Sequence, residues 1–337
     1  VTLVLSHNLR EQGHQVETFH PFLSELQPWF PGLPLRPFPS IPNVFQKLEF
    51  QHNRRAKFEP GEADDADGFK VRDTGTGEDP FLKHVRYIAN LDRFDRFFIF
   101  YEKSPWMQEI LATCEKEYRE KTFVLNPIAT PNRDYPYWEV GEFDGRIPFV
   151  ENLRRFSQNK LHFSEAVIHN GITLPKGVIS RKYPKRVVLH PTSSRPGKNW
   201  PQEKFLTLAT LLEEEGFEPV FILSKGEKAS WPEMPFSAPD FETLSEVAAF
   251  IAESGSMIGN DSGIGHLASC LGLSTVTICR SKLTADFWRP AWTKGSVITP
   301  PAFLPNLKGL RIRDNHWKRF ISPQRVLRTF LILQKSS

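Results

Sequence analysis

Three short segments concentrate the side chains that could do chemistry. The first is His190-Pro191-Thr192-Ser193-Ser194-Arg195-Pro196-Gly197-Lys198-Asn199-Trp200-Pro201. Thr192, Ser193 and Ser194 offer hydroxyl and backbone donors, and Lys198 offers a positive charge. That combination suits a phosphate held near a helix N-terminus. The GxxxxGK(S/T) spacing of a P-loop is absent, and an ordinary polar strand-to-helix turn would look similar. The second segment is Ser224-Lys225-Gly226-Glu227. An acid just past a strand end can accept two ribose hydroxyls, although alone it also fits a solvent-exposed turn. The third, Gly259-Asn260-Asp261-Ser262-Gly263-Ile264-Gly265-His266, carries the most information. Asp261 and Ser262 can each cap a following helix. Gly263 and Gly265 let the backbone approach a ligand closely, and His266 falls in the first turn, where the helix dipole favours an anion. A plain cap accounts for Asp261 or Ser262, but not for two glycines and a histidine together.

These segments need strands and helices to position them. Arg186–His190, Glu218–Ser224, Ser256–Asn260 and Ser274–Cys279 read as strands. Gln202–Glu215, Leu244–Glu253 and Gly263–Leu271 read as helices, the first and last closed by Gly216 and Gly272. Short apolar strands alternating with helices predict a parallel sheet covered on both faces. Ligands then bind at the carboxyl ends of the strands, where all three segments fall. Earlier in the chain, Phe94–Tyr101 and Thr122–Asn126 read as strands around a helix from Ser104 to Glu120. Helices are also expected at Phe81–Asn90, at about Phe149–Gln158 and, amphipathic and terminal, at Pro323–Lys335. The proline-rich PWFPGLPLRPFPSIP cannot sustain an α-helix. The opening residues parse as helix, Gly13, then a strand. An α/β domain normally opens on a strand, so the chain is expected to begin inside its first βα unit.

Composition bounds the rest. At roughly 150 residues per domain, 337 residues predict about two domains. We expect an N-terminal domain over 1–170 and a C-terminal one over 171–320. A helix over 321–337 is expected to pack back on the N-terminal domain. No apolar run approaches the roughly 18 residues of a membrane span. Three scattered cysteines, Cys114, Cys270 and Cys279, form neither a disulfide framework nor a zinc cluster, and their odd count fits a reducing compartment. Residues 59–79 carry eight acids against Lys70 and Arg72, and residues 308–328 carry seven bases against Asp314. The first reads as an exposed loop. The second reads as a solvated face or as a surface attracted to an anionic acceptor or membrane. Nucleic acid is disfavoured, because the basic run belongs to no binding module.

The stretch GNDSGIGHLASCLGLSTVTI (259–278) resembles the D-S/T-G-x-x-H-L/I-A signature of heptosyltransferase-type glycosyltransferases, family 9 of the sugar transferases. HPTSSRPGKNWPQEKF (190–205) resembles that family's phosphate loop, and Gly226-Glu227 matches in order and spacing. The likeness extends over about residues 186–280. It implies an α/β fold of GT-B type, two Rossmann-like domains facing across a cleft, the C-terminal one binding a nucleotide-activated sugar and the other the acceptor. It also implies inversion at the anomeric centre with no metal and no cofactor beyond the sugar nucleotide, expected to be ADP-heptose. By motif, Thr192, Ser193, Ser194 and Lys198 would hold the donor phosphates and Glu227 the ribose. Asp261, Ser262, Gly263 and His266 would surround the diphosphate and sugar. The family's base is an aspartate in a glycine-containing loop after the first strand. It has no match here and is expected upstream of Val1, so the catalytic residue is unassigned. Ile264 stands where many members have proline, and the 59–79 insertion is unfamiliar. The implied partner is a lipopolysaccharide core or similar glycolipid, met in the cytoplasm with peripheral contact at the inner face of the plasma membrane. Two rival readings are a GT-B-type nucleotide-sugar epimerase and a non-catalytic sugar-nucleotide or glycan-binding protein.

Overall fold

A computed structural model describes residues 1–20, 22–37, 91–100, 105–125, 143–193, 195–231, 234–303 and 312–335. The acidic 59–79 stretch, the helix expected at Phe81–Asn90, Ser104 and Ser194 lie outside the described residues. The chain divides into two compact units, one of Val1–Arg36 with Gly141–Ser337 and the other of Pro37–Val140.

In chain order the elements are α1 (Leu3–Glu11), β1 (Thr18–His20), a 3-10 turn (Leu23–Trp29), β2 (Leu35–Pro37), β3 (Phe97–Phe100), α2 (Pro105–Glu117) and β4 (Thr122–Leu125). There follow α3 (Phe149–Asn159), β5 (Tyr183–His190), α4 (Gln202–Glu214), β6 (Glu218–Phe221), α5 (Lys225–Lys228), α6 (Leu244–Ala252), β7 (Ser254–Asn260) and α7 (Gly263–Cys270). The chain ends with β8 (Ser274–Ile278), α8 (Lys282–Trp288), β9 (Gly295–Ile298), α9 (Ile312–His316) and α10 (Pro323–Lys335). The proline-rich stretch enters the end of the 3-10 turn, with Pro28 inside it, and supplies β2, with no α-helix among its described residues. No helix among the described residues is long and apolar enough to cross a membrane.

Within the unit Pro37–Val140, β3 and β4 pair in parallel, with α2 as the crossover. Phe98 and Phe123 stack at 5.2 Å across that pair. The larger unit is built on a five-stranded parallel sheet of order β6-β5-β7-β8-β9. Alternation along β5 sends Val187 and Leu189 to one face, where they meet Phe205, Leu208 and Leu212 of α4 and Val326 and Phe330 of α10. Val188 points to the other face, with Ala248 and Ile251 of α6 and Ala268 of α7. Burying each of these side chains stabilises by about 1.5–3 kcal/mol for the larger aliphatics and phenylalanines. Gly216 and Gly272 end α4 and α7 at φ +79° and +92°, a backbone that other residues adopt with strain.

Two expectations about organisation change. Residues 1–36 join the C-terminal sheet: Leu3, Leu26, Trp29, Phe30 and Leu33 share the core of Val188 and Ile251. The Trp29 indole N–H also donates to Ser245 Oγ at 2.9 Å. The terminal helix α10 packs on α4 rather than on an N-terminal domain, because its apolar stripe is Val326, Phe330 and Leu333 and its nearest apolar surface is that of Phe205 and Leu212. Sequence periodicity also missed α8 and β9, the latter a short, half-exposed edge strand.

Candidate functional site

The sheet order places the site. From β5 the chain moves outward to β6, then returns past β5 to β7 and continues the other way. The neighbours β5 and β7 therefore bound the switch point, where connections depart in opposite directions and leave a crevice beyond the strand ends. His190 pairs with Gly259 there. The two backbones lie so close that a Cβ on Gly259 would stand 2.7 Å from the His190 carbonyl oxygen, so only glycine fits.

The loop leaving β5 and the loop leaving β7 meet at this point. Lys198 Nζ donates to Asp261 Oδ2 at 2.9 Å. Asn260, fully buried, stitches the loops at their roots. Its Oδ1 accepts from the Trp200 N–H at 3.0 Å, and its Nδ2 donates to the Pro191 carbonyl at 2.6 Å. Both sequence candidates for the α7 cap were plausible, and the structure divides the labour. Ser262 Oγ accepts from the Gly265 N–H at 3.4 Å, while Asp261 is turned to Lys198. Gly263, at the exposed start of α7, has no heavy atom within 4 Å of where a Cβ would stand. A cation and a helix N-terminus thus share one rim, which is the arrangement that binds phosphate elsewhere.

The third loop comes close to Thr192. Glu227 lies in the short helix α5 and forms a reciprocal capping box with Ser224. Its carboxylate accepts from the Ser224 N–H at 2.7 Å, and its own N–H donates to Ser224 Oγ at 3.3 Å. Burial pushes the Glu227 carboxyl up. Hydrogen bonds with Ser224 outweigh that and, with Thr192 and His190 close by, hold it below its ordinary value. Thr192 is itself buried. The Ser193 hydroxyl is spent inside its own loop, directed to Asn199 Oδ1 at 2.7 Å and the Arg195 carbonyl at 3.0 Å.

His266 sits in the first turn of α7, edge-on to Trp292 with ring centroids 6.0 Å apart. Burial pushes its imidazolium down to about 3, so the ring is neutral near pH 7. It can orient a ligand by hydrogen bonding and cannot serve as a cation, which leaves Lys198 as the positive side chain among the sequence candidates. His190 is a core residue: its ring Nδ1 bonds the Ile222 carbonyl at 3.0 Å, tying β5 to the end of β6.

Sequence reasoning passed over the residues that hold these loops. Asn260 lies inside the third sequence segment beside the residues read as functional. Trp200, buried, donates from its indole to the Ile321 carbonyl at 3.1 Å. Lys204 donates to the carbonyls of Lys318 at 2.6 Å and Ile321 at 2.8 Å. The available signal was the run of polar residues at strand ends in an otherwise apolar sheet, because a buried amide must find partners.

Known proteins share this fold. The chain matches the glycosyltransferase family 9 structure from Veillonella parvula with a TM-score of 0.64 at 14% identity, covering 100% of this chain and 93% of that one. It matches E. coli heptosyltransferase WaaC with ADP at TM-score 0.60 and 13% identity, covering 98% and 95%. Against E. coli ADP-heptose lipopolysaccharide heptosyltransferase II the TM-score is 0.58 at 15% identity, covering 100% and 95%. No curated protein sequence matches the chain. The fold is that of the GT-B-type glycosyltransferases. Residues 155–299, which contain all three loops, match the model of glycosyltransferase family 9 (heptosyltransferase).

Proposed function

We propose that the chain is an inverting, metal-independent transferase that moves heptose or a related sugar from ADP to a lipopolysaccharide core or similar glycolipid, working from the cytoplasmic side of the membrane. The observation that carries this reading is the contact of Lys198 with Asp261 at the N-terminus of α7, at the sheet's switch point. The sugar–diphosphate bond breaks as the acceptor oxygen attacks the anomeric carbon from the opposite face. The acceptor proton leaves to a general base. Negative charge builds on the departing diphosphate, and Lys198 with the N–H groups of Gly263 and its neighbours is positioned to stabilise it. Asp261 would hold Lys198 in place and then meet the hydroxyls of the transferred sugar. Glu227 and Thr192 would face the ribose. That WaaC was solved with ADP supports ADP as the leaving group.

The test is to incubate ADP-heptose with the protein, with and without a truncated glycolipid acceptor. Product mass and anomeric configuration are then followed by mass spectrometry and NMR. The proposal expects acceptor mass to rise by one sugar, with inverted configuration, and no change in the donor alone. Epimerised donor without acceptor would support an isomerase instead, and bound but unconsumed donor a binding protein.

A further inference from the structure

The terminal helix α10 has a second face that the transferase reading leaves unused. Its buried stripe of Val326, Phe330 and Leu333 is consumed by packing on α4. On the opposite side Arg325, Arg328, Ile332 and Lys335 follow one another at spacings of three, four and three, which aligns them along one face. All four are exposed, Ile332 to 63%. Arg319, in the turn just before the helix, is exposed as well. From Asn315 to Ser337 the sequence contains no Asp or Glu. The end of α4 brings Glu213 and Glu214, with Glu215 just beyond, to the neighbouring surface. Yet among the described residues no ion pair joins an acid to Arg319, Arg325, Arg328 or Lys335.

We propose that this outer face of α10 docks the protein on an anionic lipid surface, with Arg325, Arg328 and Lys335 lying over the headgroups and Ile332 entering the interfacial layer between them. The occupant follows from charge and shape. The cations stand on a straight, rigid element about 15 Å long from Arg325 to Lys335, at 1.5 Å per residue. An apolar side chain sits in their midst, an arrangement suited to a flat surface that is charged outside and apolar beneath. Nucleic acid would meet the cations and gain nothing from Ile332. The face belongs to the unit that carries the donor loops, but the proposal does not depend on what those loops bind.

Flotation with vesicles tests it. Full-length protein is mixed with neutral phosphatidylcholine vesicles, and with vesicles in which about a third of the lipid is phosphatidylglycerol. Wild type should bind the anionic vesicles, ignore the neutral ones and be released by salt. Each cation near such a surface contributes about a fivefold gain in partitioning. The R325Q/R328Q/K335Q variant should therefore lose about a hundredfold, and Ile332→Ser a further severalfold. All substituted side chains are exposed, so thermal melting should not change, and ADP binding should stay at the wild-type level. Failure of ADP binding in wild type would sink the donor assignment and leave the docking result standing. Equal vesicle binding by wild type and the triple variant would overturn the proposal. So would tight binding of duplex DNA or RNA, lost in the same variant, with no vesicle binding.

Discussion

Lys198 and Asp261 stand 63 positions apart and meet at 2.9 Å. Their residue types could be read from the loops that carry them, but their contact could not, since it depends on which strands are neighbours. The buried amide of Asn260 fixes that contact. Replacing it with alanine would strand the Trp200 N–H and the Pro191 carbonyl away from water, each at about 1–3 kcal/mol. Asn260→Ala should therefore lower unfolding stability by roughly 2–6 kcal/mol, measured by urea denaturation. Asn260→Asp should cost at least as much, because it keeps an acceptor for Trp200 but sets a buried carboxylate oxygen against the Pro191 carbonyl. His266 gives a prediction in pH. Burial lowers its pKa from 6.5 to about 3. Between those values the unfolded chain takes up a proton that the folded chain refuses. The stability this histidine contributes is complete above pH 6.5 and is lost as pH falls toward 3. Urea midpoints collected from pH 7.5 to 4 should decline less steeply in His266→Gln than in wild type. Equal slopes would show that the ring titrates normally.

At the scale of elements, the sheet of the larger unit was legible because strand, loop and helix alternate with glycine at the helix ends. Gly216 and Gly272 both occupy the left-handed region, as their positions after a helix require. Less legible were α8, with no strong apolar stripe, and β9, whose edge position removes the need for a buried pattern on both faces. Two glycines of the α7 region separate stability from binding. Gly272→Ala should cost about 1 kcal/mol through backbone strain and leave ADP affinity alone. Gly263 has an ordinary φ and open space beside it. Gly263→Ala should leave the melting temperature unchanged and weaken ADP binding severalfold by placing a methyl where the diphosphate approaches. A Gly263→Ala variant that binds ADP as wild type does would remove that glycine from the site. Phe330→Ala, which empties the contact between α10 and α4, should cost about 3–5 kcal/mol.

For the whole molecule, the sheet order brings the loops after β5 and β7 together at its switch point, within the segment that matches the family model. Motif reading reached this part because glycines, a lysine and a histidine sit at strand ends for reasons a plain turn does not need. It misassigned residues 1–36, because a helix and a proline-rich turn carry no mark of which sheet they will cover. It also gave Ser193 an outward role, whereas the hydroxyl closes its own loop. The central claim is that Lys198, at the switch point, meets the diphosphate of the donor. Calorimetric titration of ADP into wild type, Lys198→Ala and, as a surface control, Lys176→Ala tests it most directly. Loss of a charge-assisted contact of about 1.5–3 kcal/mol should weaken binding roughly ten- to hundredfold in Lys198→Ala and not at all in Lys176→Ala. Equal dissociation constants for all three proteins would contradict the account.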